Sequence, residues 1–584
     1  MTKVPSLPES APFTAAQRLW LNGFLAGLFA QHESQSSEPS TPAKPLLILF
    51  GSQTGTAEGL ARRAASAAAS QGFLPRVMEA NAATKLEWSS ESRLLFVTST
   101  YGDGDMPDNA QGFWDWLQTD AAKALTHLEF SVLALGDSHY EHFCAAGKKI
   151  DERLEQLGAK RLHPRTDCDT DYAGPAQAWI DGALPAFGAS AAPGTAQPSA
   201  PSQTTLSEPV TQGFSRANPF PAVLLTNRRL TAEGSGKEVR HFEISLEGSG
   251  LVYEVGDALG IHPANCPSLV DELLQALRCD GEEAVPNPRG GEVPLRKALT
   301  DCYDITRPGT ELLQQAAVKN QDLRALLSAD RKEELRQWLW GREVLDVLLA
   351  TPGFVPAAPE LVALLKPLAP RLYSISSSPK VHEGQVHLTV GIVRHESQGR
   401  ARKGVCSTFL ADRAPGRVPV PVFVQKSSSF RLPANGDTAI IMVGPGTGVA
   451  PFRAFLHERQ ATGAKGRNWL FFGEQRAATD FYYREELERM LQSGHLTKLS
   501  TAFSRDQAEK IYVQNRMLEA AAELWAWLQA GAHFYVCGDA SRMAKDVDTA
   551  LHRAIETAGR KTSEQAAEFV TQMKTEKRYQ RDVY

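Results

Sequence analysis

Residues 45–70 read PLLILFGSQTGTAEGLARRAASAAAS. The apolar run 45–50 has the length of a buried strand, and an Ala-rich helical pattern starts at Ala57 and continues to residue 70. Between them, Gly51, Ser52, Gln53, Thr54, Gly55 and Thr56 place hydroxyls, small side chains and free backbone N–H groups at a helix N-terminus. The helix dipole and the unpaired donors there favour an anion, so the segment predicts a strand–turn–helix that holds a phosphate. A Walker A loop is excluded, because the Gly-Lys-Ser/Thr ending is absent.

Two later strand-like runs end in the same manner. Run 93–98 leads into Ser99-Thr100-Tyr101-Gly102-Asp103-Gly104-Asp105, and run 130–135 leads into Leu135-Gly136-Asp137-Ser138-His139-Tyr140-Glu141-His142-Phe143. With helical stretches at 57–70 and 111–117 between them, the runs predict a parallel, doubly wound sheet. Ligands of such sheets bind outside the carboxyl ends of the strands, so the three loops form one candidate pocket. Tyr101 and Tyr140 are suited to the two faces of a planar ring. Together the loops resemble the flavin mononucleotide site of flavodoxin.

The rest of the chain sets the frame. At 584 residues it is long enough for about three to five domains. Its 42% hydrophobic and 22% charged residues are ordinary for folded protein, which excludes disordered or collagen-like classes. A net charge of -5 supplies no global field for nucleic acid. Seven cysteines without a CxxC pair give neither a disulfide framework nor a zinc or iron–sulfur ligand set, so no metal site is expected, and a reducing cytoplasm fits. Residues 13–30 are apolar but interrupted by Gln17, Arg18 and Asn22 and fall short of the ~20 residues of a membrane span, so a short docking helix is expected. Segments 31–44 and 189–213, rich in Ser, Ala, Pro, Gln and Thr, read as linkers. The second has an expected reach of roughly 25 Å. The expected division is therefore 1–44, an assembly helix and linker; 45–188, the doubly wound block; 189–213, a linker; 214–436; and 437–584. No short-period repeat is apparent.

After the second linker, runs 223–230, 239–246, 371–377, 385–394 and 418–424 predict an antiparallel barrel, with a helical insertion at about 267–367. Arg371-Leu372-Tyr373-Ser374 ends one run, and Gly404-Val405-Cys406-Ser407 opens a helix. An Arg can hold a pyrophosphate, a Tyr can stack on an isoalloxazine and a helix N-terminus can take the remaining phosphate charge. That pairing resembles the FAD-binding barrel of the ferredoxin reductase family. From 437 onward, runs 439–443, 468–472, 497–502 and 533–536 restore a parallel sheet. Gly444-Pro445-Gly446-Thr447-Gly448 suits close approach of a pyrophosphate to backbone. Ser504, Arg505, Lys510 and Tyr512 are suited to a 2′-phosphate, which selects NADPH over NADH. The end, RYQRDVY at 578–584, offers an aromatic to cover a flavin face.

The order of these blocks resembles the diflavin reductases over about residues 45–584. Within them, FRLPANGDTAIIMVGPGTGVAPFRAF, NWLFFGEQ, GAHFYVCGDASRMAKDV, RYQRDVY and the N-terminal FTAAQRLWLNGFLAGL are most similar to the flavoprotein branch that serves sulfite reductase. The resemblance implies an α/β multidomain fold. It comprises a flavodoxin-like doubly wound sheet, an antiparallel FAD-binding β-barrel with helical insertion, and a ferredoxin-reductase-like NADPH-binding α/β domain. It implies FMN contacts from Ser52, Gln53, Thr54, Gly55, Thr56 and Ala57, from Ser99, Thr100, Tyr101 and Gly102, and from Leu135, Gly136, Asp137, Ser138, His139, Tyr140, Glu141, His142, Phe143 and Cys144. FAD contacts are implied at Arg371, Leu372, Tyr373, Ser374, Thr389, Val390, Gly391, Gly404, Val405, Cys406, Ser407 and Tyr584, with His395 where the family places a tyrosine on the adenine. NADPH contacts are implied at Ser504, Arg505, Lys510, Ile511, Tyr512, Val513, Gln514 and Asp546. Catalytic roles are implied for Ser374, Cys537 and Asp582 beside the nicotinamide and for Tyr584 over the flavin.

The implied activity is an NADPH-dependent diflavin oxidoreductase that sends electrons through FAD and FMN to a haem acceptor, the haemoprotein subunit of sulfite reductase. The chain would form a homo-oligomer through its N-terminal segment, with no nucleic acid and no membrane span. The second flavin loop departs from that branch, because Tyr101 stands where a glutamine is usual and matches reductases of haem-thiolate monooxygenases. A free-standing monooxygenase reductase is therefore the alternative, and a flavin-binding subunit without turnover is a third reading.

Overall fold

The computed structural model of the protein describes residues 44–188 and 213–584, apart from 53–54, 102–103, 120–121, 123–124, 138–141, 170–171, 329, 415–417 and 428. The expected assembly helix and both linkers fall almost entirely outside the described residues.

The first block is a parallel sheet in the order Phe73–Glu79, Lys44–Gly51, Arg93–Ser99, Glu129–Leu135 and Lys160–Arg161, with Thr166–Cys168 also paired to Glu129–Leu135. Its central strands are unbroken apolar runs because both faces are covered. Helices Thr56–Ser70 and Ala173–Ala186 pack on one face around Leu60, Trp179 and Ile180. Helices Asp108–Leu117 and Ala145–Gln156 pack on the other around Phe113 and Ile150. The chain leaves Lys44–Gly51 toward one edge, through Phe73–Glu79, and then crosses back to Arg93–Ser99. The sheet therefore has a switch point between Lys44–Gly51 and Arg93–Ser99, and sheets of this kind bind ligands at the carboxyl ends there.

The second block holds two antiparallel sheets. One runs Arg371–Ser374, Ala258–Ile261, Val420–Gln425, Phe220–Ala222, and the other runs Gln385–Gly391, Val239–Ser245, Leu224–Arg229. A bridge between Ile375 and Leu388 joins them around a core that includes Phe242, Ile261, Leu388 and Val422. The run expected at 385–394 breaks at Gly391, and Arg394–Ser397 instead forms a hairpin with Arg400–Lys403. The insertion folds as short helices from Pro267–Leu277 to Ala358–Ala363 with their own core, plus a small hairpin of Ala284–Pro286 and Glu292–Pro294. Arg402, 4% exposed, fastens it to the barrel by bonds of 2.8 Å to both Glu343 and Asp346.

The third block is a parallel sheet in the order Lys498–Phe503, Asn468–Glu474, Ile440–Val443, His533–Gly538, Tyr579–Val583. Its switch point lies between Ile440–Val443 and His533–Gly538. The last strand is made from the chain end, which the sequence suggested only as an aromatic cover. Val239, Val255 and Phe430 of the barrel share one apolar cluster with Ile440, Phe452 and Tyr535, so the second and third blocks are fused through a common core. The first block meets the third at Tyr101, which packs on the rim of that block's other core. No helix among the described residues is long and apolar enough to cross a membrane.

Candidate functional site

Register places the first block's three loops side by side, since Gly51 lies opposite Thr98 and Ser99 opposite Leu135. Gly55 adopts φ 90° as N-cap of the helix Thr56–Ser70. Its N–H and that of Ala57 converge on Ser52 Oγ, at 2.9 and 3.2 Å. The Ser52 hydroxyl thus occupies the donors of a helix N-terminus, the kind of end whose dipole favours a phosphate. A Cβ on Gly51 would lie 2.6 Å from Thr98 Oγ1, so the turn is closed by a residue without a side chain. Ser52 N–H donates to Asn109 Oδ1 at 2.8 Å, which makes Asn109 a support of this loop that the sequence did not single out. Thr100 Oγ1 accepts from Ala146 N at 3.2 Å, and Tyr101 and Asp105 exchange backbone bonds of 3.0 and 2.8 Å.

The third loop turns at Gly136, where a Cβ would lie 2.7 Å from Cys144 N. Cys144 takes φ 55° at the start of its helix, and burial pushes its thiol up to about 12, so it stays protonated and serves packing. Asp137 is half-buried, and His142 and Phe143 reach the surface. Gln53, Thr54, Gly102, Ser138, His139, Tyr140 and Glu141 lie outside the described residues.

In the barrel the two motifs meet where the Tyr373 hydroxyl and the Cys406 thiol interact. Burial raises both groups, so both are neutral. Arg371 lies 3.8 Å from Asp304, and Leu372 is 51% exposed. Gly404 is in close contact with the turn it opens: a Cβ there would lie 2.6 Å from Ser407 Oγ and 2.7 Å from Val393 Cβ. The expected helix is a single turn, Val405–Thr408, which widens into a π-type turn at Phe409–Arg413.

Beside this turn is a cavity of about 270 Å³ lined by Cys266, Glu343, Arg400, Lys403, Val405 and Arg413 among others. Arg413 Nε is buried there without a hydrogen-bond partner. The lining sets Arg400, Lys403 and Arg413 against Glu272 and Glu343, with Arg400 paired to Glu272 and Asp346, so the orphaned Arg413 donor is the feature that fits an anionic ligand. Four expected contacts are placed differently. Thr389 Oγ1 bonds Tyr483 OH at 2.6 Å, toward the third block, and Val390 is buried in the barrel core. Both side chains are thereby committed to packing, which leaves backbone alone for a ligand. Gly391 faces Thr447 instead, and His395 stands exposed on the hairpin Arg394–Ser397.

In the third block a Cβ on Gly444 would lie 2.5 Å from Gly448 O, and one on Gly448 would collide with Cys537 O. Both glycines are therefore required by backbone packed on backbone, within the turn and against the end of His533–Gly538. Ser504 is buried beside the end of Asn468–Glu474, its N–H bonded to Glu474 O at 2.9 Å, and Arg505 N–H bonds Gln475 O at 2.8 Å. Gln514 bonds Asp546 at 3.1 Å, while Arg505, Lys510 and Tyr512 are exposed along the same edge. Ile511 and Val513 point inward, against the core.

The candidate catalytic residues converge at the seam between barrel and third block. The pairing of Cys537 with Asp582 brings the chain end under Ser374. Ser374 Oγ donates to Asp582 Oδ2 at 2.6 Å, and Cys537 Sγ lies 3.8 Å from the same oxygen. Burial raises the Asp582 carboxyl, and the Ser374 and Cys537 donors offset part of that rise. Burial and the neighbouring carboxylate push the Cys537 thiol well up. Tyr584 leaves its ring 54% exposed, with its hydroxyl 2.9 Å from Thr447 Oγ1 and its N–H on Gly538 O.

Family models match in the same order: a flavodoxin at residues 48–179, an FAD binding domain at 212–409 and an oxidoreductase NAD-binding domain at 442–549. The chain is 46% identical to a sulfite reductase [NADPH] flavoprotein alpha-component of Bacillus subtilis, over 100% of this chain and 96% of the relative. It is 42% identical to those of Vibrio cholerae, over 98% and 93%, and of Mannheimia succiniciproducens, over 100% of each. The three domains support FMN, FAD and NADPH as cofactors of an NADPH-dependent oxidoreductase. Domain order, glycine turns and full-length likeness agree, and the chain belongs to the sulfite reductase [NADPH] flavoprotein alpha-component family of diflavin reductases.

Proposed function

We propose that the chain carries electrons from NADPH through both flavins to the haemoprotein subunit of a sulfite reductase, in the cytoplasm. When bound, the flavins supply the conversion of a two-electron hydride into single electrons, which a haem takes one at a time. The residues divide the labour. Ser52, Gly55, Thr56 and Ala57 hold the FMN phosphate, and Tyr101 with the loop from Leu135 to Cys144 borders its ring. Arg371, Tyr373 and the turn Gly404 to Ser407 hold FAD. Ser504, Arg505, Lys510, Tyr512, Gln514 and Asp546 hold the 2′-phosphate end of NADPH. Asp582, oriented by Ser374 and Cys537, stabilises positive charge that develops at the nicotinamide. Tyr584, half exposed beside Thr447, would cover the face of a bound flavin.

The observation that carries this reading is the meeting of Ser374, Cys537 and Asp582 on one carboxylate oxygen, from three separate stretches of chain. Residues 1–44 are assigned to self-association and to assembly with the haemoprotein. The test mixes the flavin-loaded protein with a sulfite reductase haemoprotein, NADPH and sulfite. Sulfide formation that requires both proteins supports the reading, and its absence despite active cytochrome c reduction contradicts it. Tyr101 favours a second reading, a reductase for a haem monooxygenase. Deletion of 1–44 separates the two: loss of a stable haemoprotein complex with cytochrome c reduction intact favours the sulfite reductase role.

A further inference from the structure

We infer that Arg581 is the positioning residue that docks the first block for electron transfer, an inference that rests on the function proposed above. Alternate residues of a strand face opposite sides. In Tyr579–Val583, Asp582 turns to Ser374 and Cys537. Its neighbour Arg581 turns the other way, to the first block, and pairs with Asp108 through two nitrogens: Nε lies 3.3 Å from Oδ2, and Nη2 bonds Oδ1. Its guanidinium carbon also sits 5.5 Å from the centre of the Tyr101 ring. One residue further, Val583 N–H donates to Tyr101 OH at 3.2 Å.

These contacts are specific in kind. A planar fork that meets both oxygens of one carboxylate and lies against an aromatic face is a task for Arg and not for Lys. The Arg581 side chain is 18% exposed and that of Asp108 21%, so the pair is largely withdrawn from water and retains strength that a surface pair lacks. Burial opposes the charge on Arg581, but Asp108 together with Tyr579 and Tyr101 more than offsets it, and the guanidinium stays protonated. Asp108 also begins the helix Asp108–Leu117, and its neighbour Asn109 bonds the phosphate-site loop at Ser52. The clamp therefore grips the element that supports the candidate FMN loop, while the adjacent residue of the same strand serves the nicotinamide. Among the described residues, an ion pair, a hydrogen bond and the Tyr101 ring join the first block to the third, a joint that can hold and release, whereas the barrel and third block are fused through a common core.

The test uses the flavin-loaded full chain as wild type, Asp108→Arg, and the exchange Asp108→Arg/Arg581→Asp. Three quantities are read: NADPH-driven reduction of ferricyanide, a small oxidant that reaches FAD without the first block; reduction of cytochrome c, which needs FMN; and the maximum dimension from small-angle X-ray scattering. Asp108→Arg is expected to lower cytochrome c reduction about tenfold, keep ferricyanide reduction within about twofold and lengthen the particle at low salt. The exchange is expected to restore both the rate and the dimension by at least half. Unchanged cytochrome c reduction and dimension in Asp108→Arg, or an exchange that restores neither, overturns the clamp. A wild-type protein unable to reduce ferricyanide with NADPH overturns the functional reading instead, and the scattering comparison then decides the clamp alone.

Discussion

Asp582 is a carboxylate that the fold could have neutralised, since burial raises it, yet Ser374 points a hydroxyl at it from only 2.6 Å. The proposed nicotinamide step uses its charge. Asp582→Asn keeps the shape and removes the charge, so NADPH-driven flavin reduction should slow by roughly 10²-fold, while Ser374→Ala should cost about tenfold. Stopped-flow absorbance checks both, with unchanged flavin content as the control for folding. A second prediction concerns the histidines between barrel and third block. His241, bonded to Tyr483 OH at 3.0 Å and Glu243 at 3.1 Å, and its neighbour His387 are buried and lowered to about 4 and about 2. Arg453, Glu486, His382 and His457 face the same cluster. Both rings are neutral in the fold, whereas the unfolded chain protonates them below about pH 6.5. The unfolded state then binds more protons, so stability falls as pH drops from about 6.5 toward 4, by up to about 1.4 kcal/mol per unit for each ring. Melting temperatures from pH 7 to 5 should fall less steeply in His387→Gln than in wild type, and parallel slopes would refute this. Ser374, Cys537 and Asp582, which meet in the fold, could each be singled out in sequence because each sits in a motif. Arg581 and Asn109 were not, because nothing in a local sequence states which surface a polar side chain will face.

Among elements, the buried parallel strands were the easiest to read, since strands covered on both faces are continuous apolar runs such as 46–50 and 468–472. The edge strand Phe73–Glu79 mixes polar and apolar residues and carries Pro75, and the terminal strand Tyr579–Val583 is similarly mixed, so neither stood out. The helix expected after Gly404 is cut to one turn because Phe409–Arg413 widens beyond α geometry. Two glycines test the element geometry in opposite directions. Gly448→Ala sets a methyl against the Cys537 carbonyl, and backbone cannot yield as a side-chain tip can. It should weaken NADPH binding at least about tenfold and cost about 1–3 kcal/mol of stability. Gly59, inside the helix Thr56–Ser70, has nothing within 4 Å of a built Cβ. Gly59→Ala should stabilise the first block by about 0.5–1 kcal/mol. Denaturant titrations and NADPH affinity check the pair, and equal effects would contradict the placement of these turns.

At the scale of the molecule, the barrel and third block share a core, and among the described residues the first block is joined to them through the Arg581–Asp108 ion pair and Tyr101. Block order was legible from the succession of strand periods and linker composition. The docked pose was not, since it depends on contacts between residues more than four hundred positions apart in sequence. The proposed route requires the first block to meet FAD and then an external haem. Removal of about half of 189–213 should therefore slow reduction of the haemoprotein several-fold and spare ferricyanide reduction. Equal haemoprotein rates would argue against alternation of the first block. The central claim is that one chain joins NADPH to a haem through two different flavins. It is tested most directly by anaerobic NADPH titration of the purified protein, with released flavins quantified and the haemoprotein then added with sulfite. The account predicts equal FMN and FAD, bleaching of both by NADPH, and sulfide only after the haemoprotein is added. A single bound flavin, or two flavins that NADPH does not bleach, would contradict it.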